Sequence, residues 1–278
     1  MQQFTASDGA RIAFADEGEG RPLVLLHGLM AHSGFFTPQR ALAADFRLVT
    51  IDLRGHGESR AALETPTIER LAFDVGELAA HLGLEEAIVV GWSLGASVLW
   101  RLLAGPASRR FAGAVVVDMT PRVLNEGDWT LGLSPETCEA RTEAIRDDFP
   151  TFAAAAGAAI FAQPPGPEAA ALADWAGAEF ARNDPEAIGA LWRSLAAEDV
   201  RPLLSSIRQP TLVVHGAQSH LYGADTADHL VEALPDARAV RFEHSGHAPH
   251  LEQPELFNRT LADFAAALPP VRTIHTAA

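Results

Sequence analysis

Six short apolar runs recur along the chain, each running into a glycine, an acid or a histidine. Residues 23–26 run into His27-Gly28, 47–51 into Asp52, 87–90 into Gly91-Trp92-Ser93, 114–117 into Asp118, 211–214 into His215-Gly216, and 239–242 into Glu243-His244. Runs that are largely apolar throughout, rather than at alternate positions, suit strands of a parallel sheet covered on both faces. Helix-compatible stretches fill several intervals, at 69–82, 96–103, 226–234 and 254–267. Together they predict an α/β fold with a mostly parallel, doubly wound sheet. Ahead of it, residues 3–5 and 11–15 flank Ser7-Asp8-Gly9 and read as an antiparallel hairpin. Ligands of such sheets bind beyond the carboxyl ends of the strands, where most of this polar punctuation falls.

Between Pro121 and Arg208 the rhythm stops. No run there reads as a strand, and the segment is rich in alanine with breaks at Pro150, Pro164-Pro165, Pro167 and Pro185. A structureless loop of that length does not suit a compact domain. The expected organisation is therefore a core domain of residues 1–120 and 209–278, with an inserted helical cap subdomain at 121–208.

Charge narrows the partners. The formal net charge is -15, and the 21 basic residues are all arginine. So acidic a chain repels phosphate backbones and anionic head groups, which leaves a small molecule, neutral or apolar, as the expected partner rather than nucleic acid or membrane. A homodimer is neither required nor excluded. The single cysteine, Cys138, rules out an internal disulfide. The first residues lack a signal peptide's basic stretch and apolar core, and no apolar run approaches the ~20 residues that span a bilayer, so a cytoplasmic location is expected. No Cys/His cluster has metal-ligand spacing; no metal and no cofactor is expected.

Three motifs carry chemistry. Gly91-Trp92-Ser93-Leu94-Gly95 follows a predicted strand directly and opens a predicted helix. That is the context of a nucleophile elbow, a sharp turn that presents the serine hydroxyl at its tip. Small residues two before and two after Ser93 let the backbones pass, and the Leu94 N–H can stabilise a developing oxyanion. His27-Gly28-Leu29-Met30 ends another strand, where the Leu29 N–H could complete that oxyanion hole. The third motif is Ser245-Gly246-His247-Ala248-Pro249-His250, after the last strand. His247 follows a glycine that lets the loop fold back over the sheet, which makes it the candidate general base for Ser93. His244 and His250 suit surface and packing roles.

These elements, with the segment DLRGHGES at 52–59, GWSLGAS at 91–97 and SGHAPHLEQP at 245–254, resemble the α/β-hydrolase superfamily. The likeness is greatest to its cofactor-free esterase, lactonase and haloperoxidase-like branch, and it spans nearly all of the chain outside 121–208. It implies a Ser–His–acid triad, an oxyanion hole at Leu29 and Leu94, and a helical cap over the site. In proteins similar to this one the 52–59 loop is mostly architectural; His56 is a weaker candidate base than His247.

The resemblance breaks at one place. Where most relatives carry the triad acid, in a pattern like HGxxD, this chain reads His215-Gly216-Ala217-Gln218-Ser219. A serine hydroxyl cannot stabilise an imidazolium as a carboxylate does. Asp118, which ends the strand after the elbow strand, is the expected acid; Asp225 is the alternative, and absence of any acid a third.

The expected activity is that of a serine hydrolase cleaving a carboxylic ester or lactone of a small, mostly apolar substrate through an acyl-enzyme on Ser93. Perhydrolase or haloperoxidase-like chemistry and carbon–carbon bond hydrolysis would use the same triad. A ligand-binding receptor or scaffold is the alternative of another class. Expected substrate-binding residues are Trp92, Trp129 and Tyr222, with Leu131, Phe149, Phe152, Phe161, Trp175 and Trp192 as further wall candidates.

Overall fold

The computed structural model describes residues 1–60, 66–162 and 167–270. Eight strands form one sheet in the order β1-β2-β4-β3-β5-β6-β7-β8. Strands β1 (Gln2–Thr5) and β2 (Arg11–Glu17) make the expected hairpin, and β2 pairs antiparallel to β4 (Phe46–Ile51). The rest is parallel: β3 (Arg21–Leu26), β5 (Ala87–Trp92), β6 (Phe111–Val117), β7 (Thr211–Gly216) and β8 (Ala237–Phe242). Strands β5 and β7 are buried at every residue, whereas the edge strand β8 is largely exposed. This gradient explains why the central runs are apolar throughout and why β8 carries Arg238 and Arg241. No helix among the described residues is long and apolar enough to cross a membrane.

Helix α1 (Ile68–His81) packs on α2 (Leu94–Ala104). Between β6 and β7 come α3 (Pro135–Asp147), α4 (Phe149–Ala159), α5 (Pro167–Phe180), α6 (Pro185–Ala197) and the short α7 (Arg201–Leu204). Prolines that break the sequence pattern turn out to start helices. Ser134, Asp148 and Asp184 each cap a helix whose first turn holds a proline, where its missing N–H costs nothing. Pro164 and Pro165 lie outside the described residues. The alanine richness has a packing cause: α4 and α5 approach closely enough that a Cβ on Gly157 would stand 2.3 Å from the Gly177 nitrogen. Helices α8 (Ala224–Ala233), α9 (Pro249–Glu252) and α10 (Pro254–Ala267) complete the chain, with α10 against a kinked 3-10 segment, Ser33–Ala44. That segment holds Pro38 and bends at Phe36, so it lacks the steady 3.6-residue repeat that would reveal it in sequence.

Candidate active site

The turn after β5 is as tight as the glycines suggest. Ser93 sits at φ 54°, in the left-handed region that non-glycine residues seldom occupy. A Cβ on Gly91 would lie 2.4 Å from the Gly95 carbonyl oxygen, and one on Gly95 would lie 2.2 Å from that of Leu26. Neither position tolerates a side chain, so the spacing of the motif is steric. The strained turn is held by the Ser93 N–H donating to the Val117 carbonyl (3.0 Å) and the Ala96 N–H donating to the Ser93 carbonyl (2.8 Å). Leu94, the first residue of α2, has an N–H that the helix cannot use itself.

The loop after β3 lies against this turn: a Cβ on Gly28 would be 3.2 Å from the Cβ of Ser93. Its shape is maintained from below by two buried imidazoles. His56 Nε2 accepts from the Met30 N–H (3.1 Å), and His27 Nε2 accepts from the Leu53 N–H (2.9 Å). Each can act as an acceptor only as a neutral ring whose proton is on Nδ1, facing the carbonyls of Arg54 and Gly28 respectively. Burial enforces neutrality and holds both pKa values down at about 3. From the other side, Asn183 donates to the Met30 carbonyl (2.6 Å). His56 is therefore enclosed beneath the loop rather than facing the serine.

His247 and Asp118 meet. The His247 Nδ1 lies 2.7 Å from Asp118 Oδ1, with both side chains almost fully buried. Asp118 stands at φ 46°, its N–H donating to the Val214 carbonyl (2.8 Å). Its carboxylate takes two further bonds: the Gly216 N–H donates to Oδ2 (3.1 Å), and the Ser219 hydroxyl donates to Oδ1 (2.8 Å). The residue at the position where relatives carry an acid thus hydrogen-bonds to the acid of the neighbouring strand. Asp225 lies exposed in the first turn of α8 and makes no hydrogen bond to His247 among the described residues.

The His247 loop is anchored by Trp92, expected as a substrate-binding residue, and by Glu252. Trp92 Nε1 donates to the His247 carbonyl (2.8 Å). Glu252 accepts from the Gly246 N–H and, with its other oxygen, from the Ala162 N–H, both at 2.7 Å. It thereby ties the loop to the segment after α4, and burial raises its pKa despite these bonds. Only the SGHAPHLEQP pattern hinted at it. His250 is the packing residue expected: its buried ring lies 4.6 Å from that of Trp92 and 5.0 Å from that of Phe36. His244 is exposed.

Ser93, His247, Leu29, Trp92 and Tyr222 line one cavity of about 250 Å³, together with Phe152 and Trp192 from the helices inserted between β6 and β7. The Tyr222 ring lies 6.0 Å from that of His247, and burial raises its phenol pKa. Trp129 is a correction. Its N–H is used by the Arg122 carbonyl (2.9 Å), and its ring packs against His229 and under Arg201, so it is absent from the cavity wall. Leu131, Phe149, Phe161 and Trp175 are absent from that wall too; the Trp175 ring packs tilted against that of Phe35, centroids 4.5 Å apart.

A family model described as the alpha/beta hydrolase fold matches residues 21–254. The chain belongs to the α/β-hydrolase family. Within it, this α/β-hydrolase is 32% identical over 254 residues to a pimeloyl-[acyl-carrier protein] methyl ester esterase of Nitrosospira multiformis, an alignment covering 89% of this chain and 95% of that one. Among solved structures, an esterase from Exiguobacterium antarcticum superposes with a TM-score of 0.89 at 26% identity, covering 95% and 99% of the two chains. The enol-lactonase of Burkholderia xenovorans superposes with a TM-score of 0.85 at 25% identity, covering 95% and 100%.

Proposed function

We propose that this α/β-hydrolase, an ester-cleaving enzyme as its relatives are, works through an acyl-enzyme on Ser93 and acts on a small, mostly apolar ester or lactone. The observation that carries the reading is the buried His247–Asp118 hydrogen bond in a loop that shares its cavity with the strained Ser93 turn.

The chemistry follows from these positions. Ser93 Oγ attacks the carbonyl carbon while its proton passes to His247 Nε2. The oxyanion that forms is stabilised by the N–H groups of Leu29 and Leu94. The bond to the leaving oxygen then breaks, and that oxygen takes the proton from His247. Water, deprotonated by the same imidazole, attacks the acyl-enzyme and releases the acid and Ser93. Asp118 keeps the His247 proton on Nδ1, so that Nε2 is the basic atom, and stabilises the imidazolium. Ser219 stabilises Asp118 by donating to it. The helices of residues 121–208 form the cap, which narrows the cavity and excludes water.

A haloalkane-type displacement is disfavoured because the elbow holds a serine instead of a carboxylate. A ligand-binding receptor would have no use for an imidazole buried against a carboxylate, so the Asp118–His247 hydrogen bond supports the enzyme reading over it. The likeness to a methyl ester esterase and an enol-lactonase supports esters and lactones together.

The test is covalent. A fluorophosphonate probe is expected to label the full chain at Ser93, located by peptide mass spectrometry, and to leave Ser93→Ala unlabelled. Absence of labelling in the folded wild type, with no turnover of short esters, would overturn the reading.

A further inference from the structure

The cavity at Ser93 contains a group that ester cleavage leaves unused. Arg141, half-buried on α3, lines it, and no aspartate or glutamate is among the described lining residues, although the chain carries 36 acids. Helix α3 itself is acidic, with Glu136, Glu139, Glu143 and Asp147. Side chains three and four residues apart share a helix face. At those spacings from Arg141 stand Thr137, Cys138, Ala144 and Ile145, so the acids of α3 fall on other faces. Among the described residues Arg141 makes no ion pair; its guanidinium carbon lies 5.4 Å from the centre of the Trp192 ring.

That contact orients the group. Trp192 is itself held by Nε1 donating to Thr142 Oγ1 (3.0 Å). A guanidinium beside a ring keeps N–H groups free to donate, and its fork can bind a carboxylate through two parallel hydrogen bonds. Tyr222, across the cavity, is close enough for the Arg141 charge to act on its phenol. The chain as a whole is strongly negative, but the cation on the wall of this cavity has no ion-pair partner among the described residues.

We propose that Arg141 receives a carboxylate at the far end of the substrate's acyl chain, so that the preferred substrates are short half-esters of dicarboxylic acids. This rests on the esterase reading of Ser93. An anchor on the acyl half holds it in place in both half-reactions, because the acyl group stays on Ser93 after the alcohol leaves. The volume of about 250 Å³ lies near the lower end of small-molecule sites, ~300–1,000 Å³, and suits a short chain. The contact makes and breaks no covalent bond; it sets which end of the molecule faces Ser93.

The test compares kcat/KM of the full chain for monomethyl succinate, glutarate and adipate with that for methyl butanoate, pentanoate and hexanoate. Wild type is expected to favour the best half-ester over its neutral counterpart by roughly ten- to hundredfold, the worth of a charge-assisted hydrogen bond pair. In Arg141→Met the preference is expected to fall to about parity, through KM for the half-ester; Arg141→Lys is expected to retain part of it. Turnover of neutral esters and labelling of Ser93 without any half-ester preference in wild type would overturn the Arg141 assignment and leave the esterase reading standing. A preference that survives Arg141→Met would also overturn it. No labelling and no turnover of either series would overturn both.

Discussion

Asp118→Asn changes one atom of a carboxylate that takes three hydrogen bonds: from His247 Nδ1 at 2.7 Å and the Ser219 hydroxyl at 2.8 Å on Oδ1, and from the Gly216 N–H at 3.1 Å on Oδ2. An amide offers one acceptor oxygen. With that oxygen at the Oδ1 position, the NH2 group meets the Gly216 N–H, donor against donor. With the amide turned over, the NH2 meets His247 Nδ1, and the imidazole must carry its proton on Nε2, where it can no longer accept one from Ser93. One buried mismatch costs about 1–3 kcal/mol, so the side chain has no satisfactory orientation and the fold still tolerates the change. The same substitution in the serine-protease triad lowers turnover by about 10⁴. Here kcat/KM on a short p-nitrophenyl ester is expected to fall by roughly 10³–10⁴, while Tm falls by about 2–10 °C. Adding Ser219→Asp returns a carboxylate at the position whose hydroxyl now touches Asp118. That double variant is expected to recover at least about tenfold in kcat/KM, since a triad acid needs only to reach Nδ1. Activity of the folded Asp118→Asn protein within about tenfold of wild type would refute the assignment. Loss without recovery in the double variant would refute the claim that the 219 loop can supply the acid.

Other predictions follow from buried groups. His56→Ala removes the acceptor of the Met30 N–H and frees the loop beside Ser93; kcat is expected to fall by roughly ten- to hundredfold with KM changed much less, the pattern of a weakened oxyanion contact. His27, His56 and His250 all have pKa values lowered by burial from 6.5 to about 3. Unfolding therefore takes up protons between those limits, so stability present above pH 6.5 is lost as pH falls towards about 3, approaching about 1.4 kcal/mol per pH unit for each ring. Chemical denaturation from pH 7 to pH 4 measures the slope; the ring nitrogens of His250 have no hydrogen-bond partner among the described residues, and His250→Leu is expected to remove about a third of that slope with stability at pH 7 unchanged or higher. Arg54, 1% exposed, is held by Asp74 and Asp8; Asp74→Ala is expected to cost about 3–5 kcal/mol in urea unfolding, with KM of the folded fraction unchanged.

Much of the fold was legible because a covered parallel sheet leaves a strong trace: β5 begins as an unbroken apolar run, and the glycines on either side of Ser93 are dictated by backbones 2.2–2.4 Å from where a Cβ would stand. Less legible was anything that depends on which side of an element faces the cavity. Trp129 and Trp192 look equivalent in sequence, both aromatic and both in the inserted segment. One spends its indole N–H on the Arg122 carbonyl beside Arg201 and the other lines the Ser93 cavity, a difference fixed by how the inserted helices lie over the sheet. Glu252 and Arg141 were missed for a related reason, since a charged side chain on a helix is usually a solvated one.

By itself the sequence indicated the order of strands and helices, the tight turn at Ser93 and His247 as candidate base, because each depends on local sterics or on hydrophobic pattern. It favoured Asp118 over Asp225 as the candidate acid without placing either. Asp118 and Asp225 are both carboxylates beyond strand ends, and proximity to His247 is a property of neighbouring strands 97 residues apart in the chain, from Val117 to Val214. Only the tertiary structure, by pairing β6 with β7 and β7 with β8, brings Asp118, Ser219 and His247 together and leaves Asp225 in solvent.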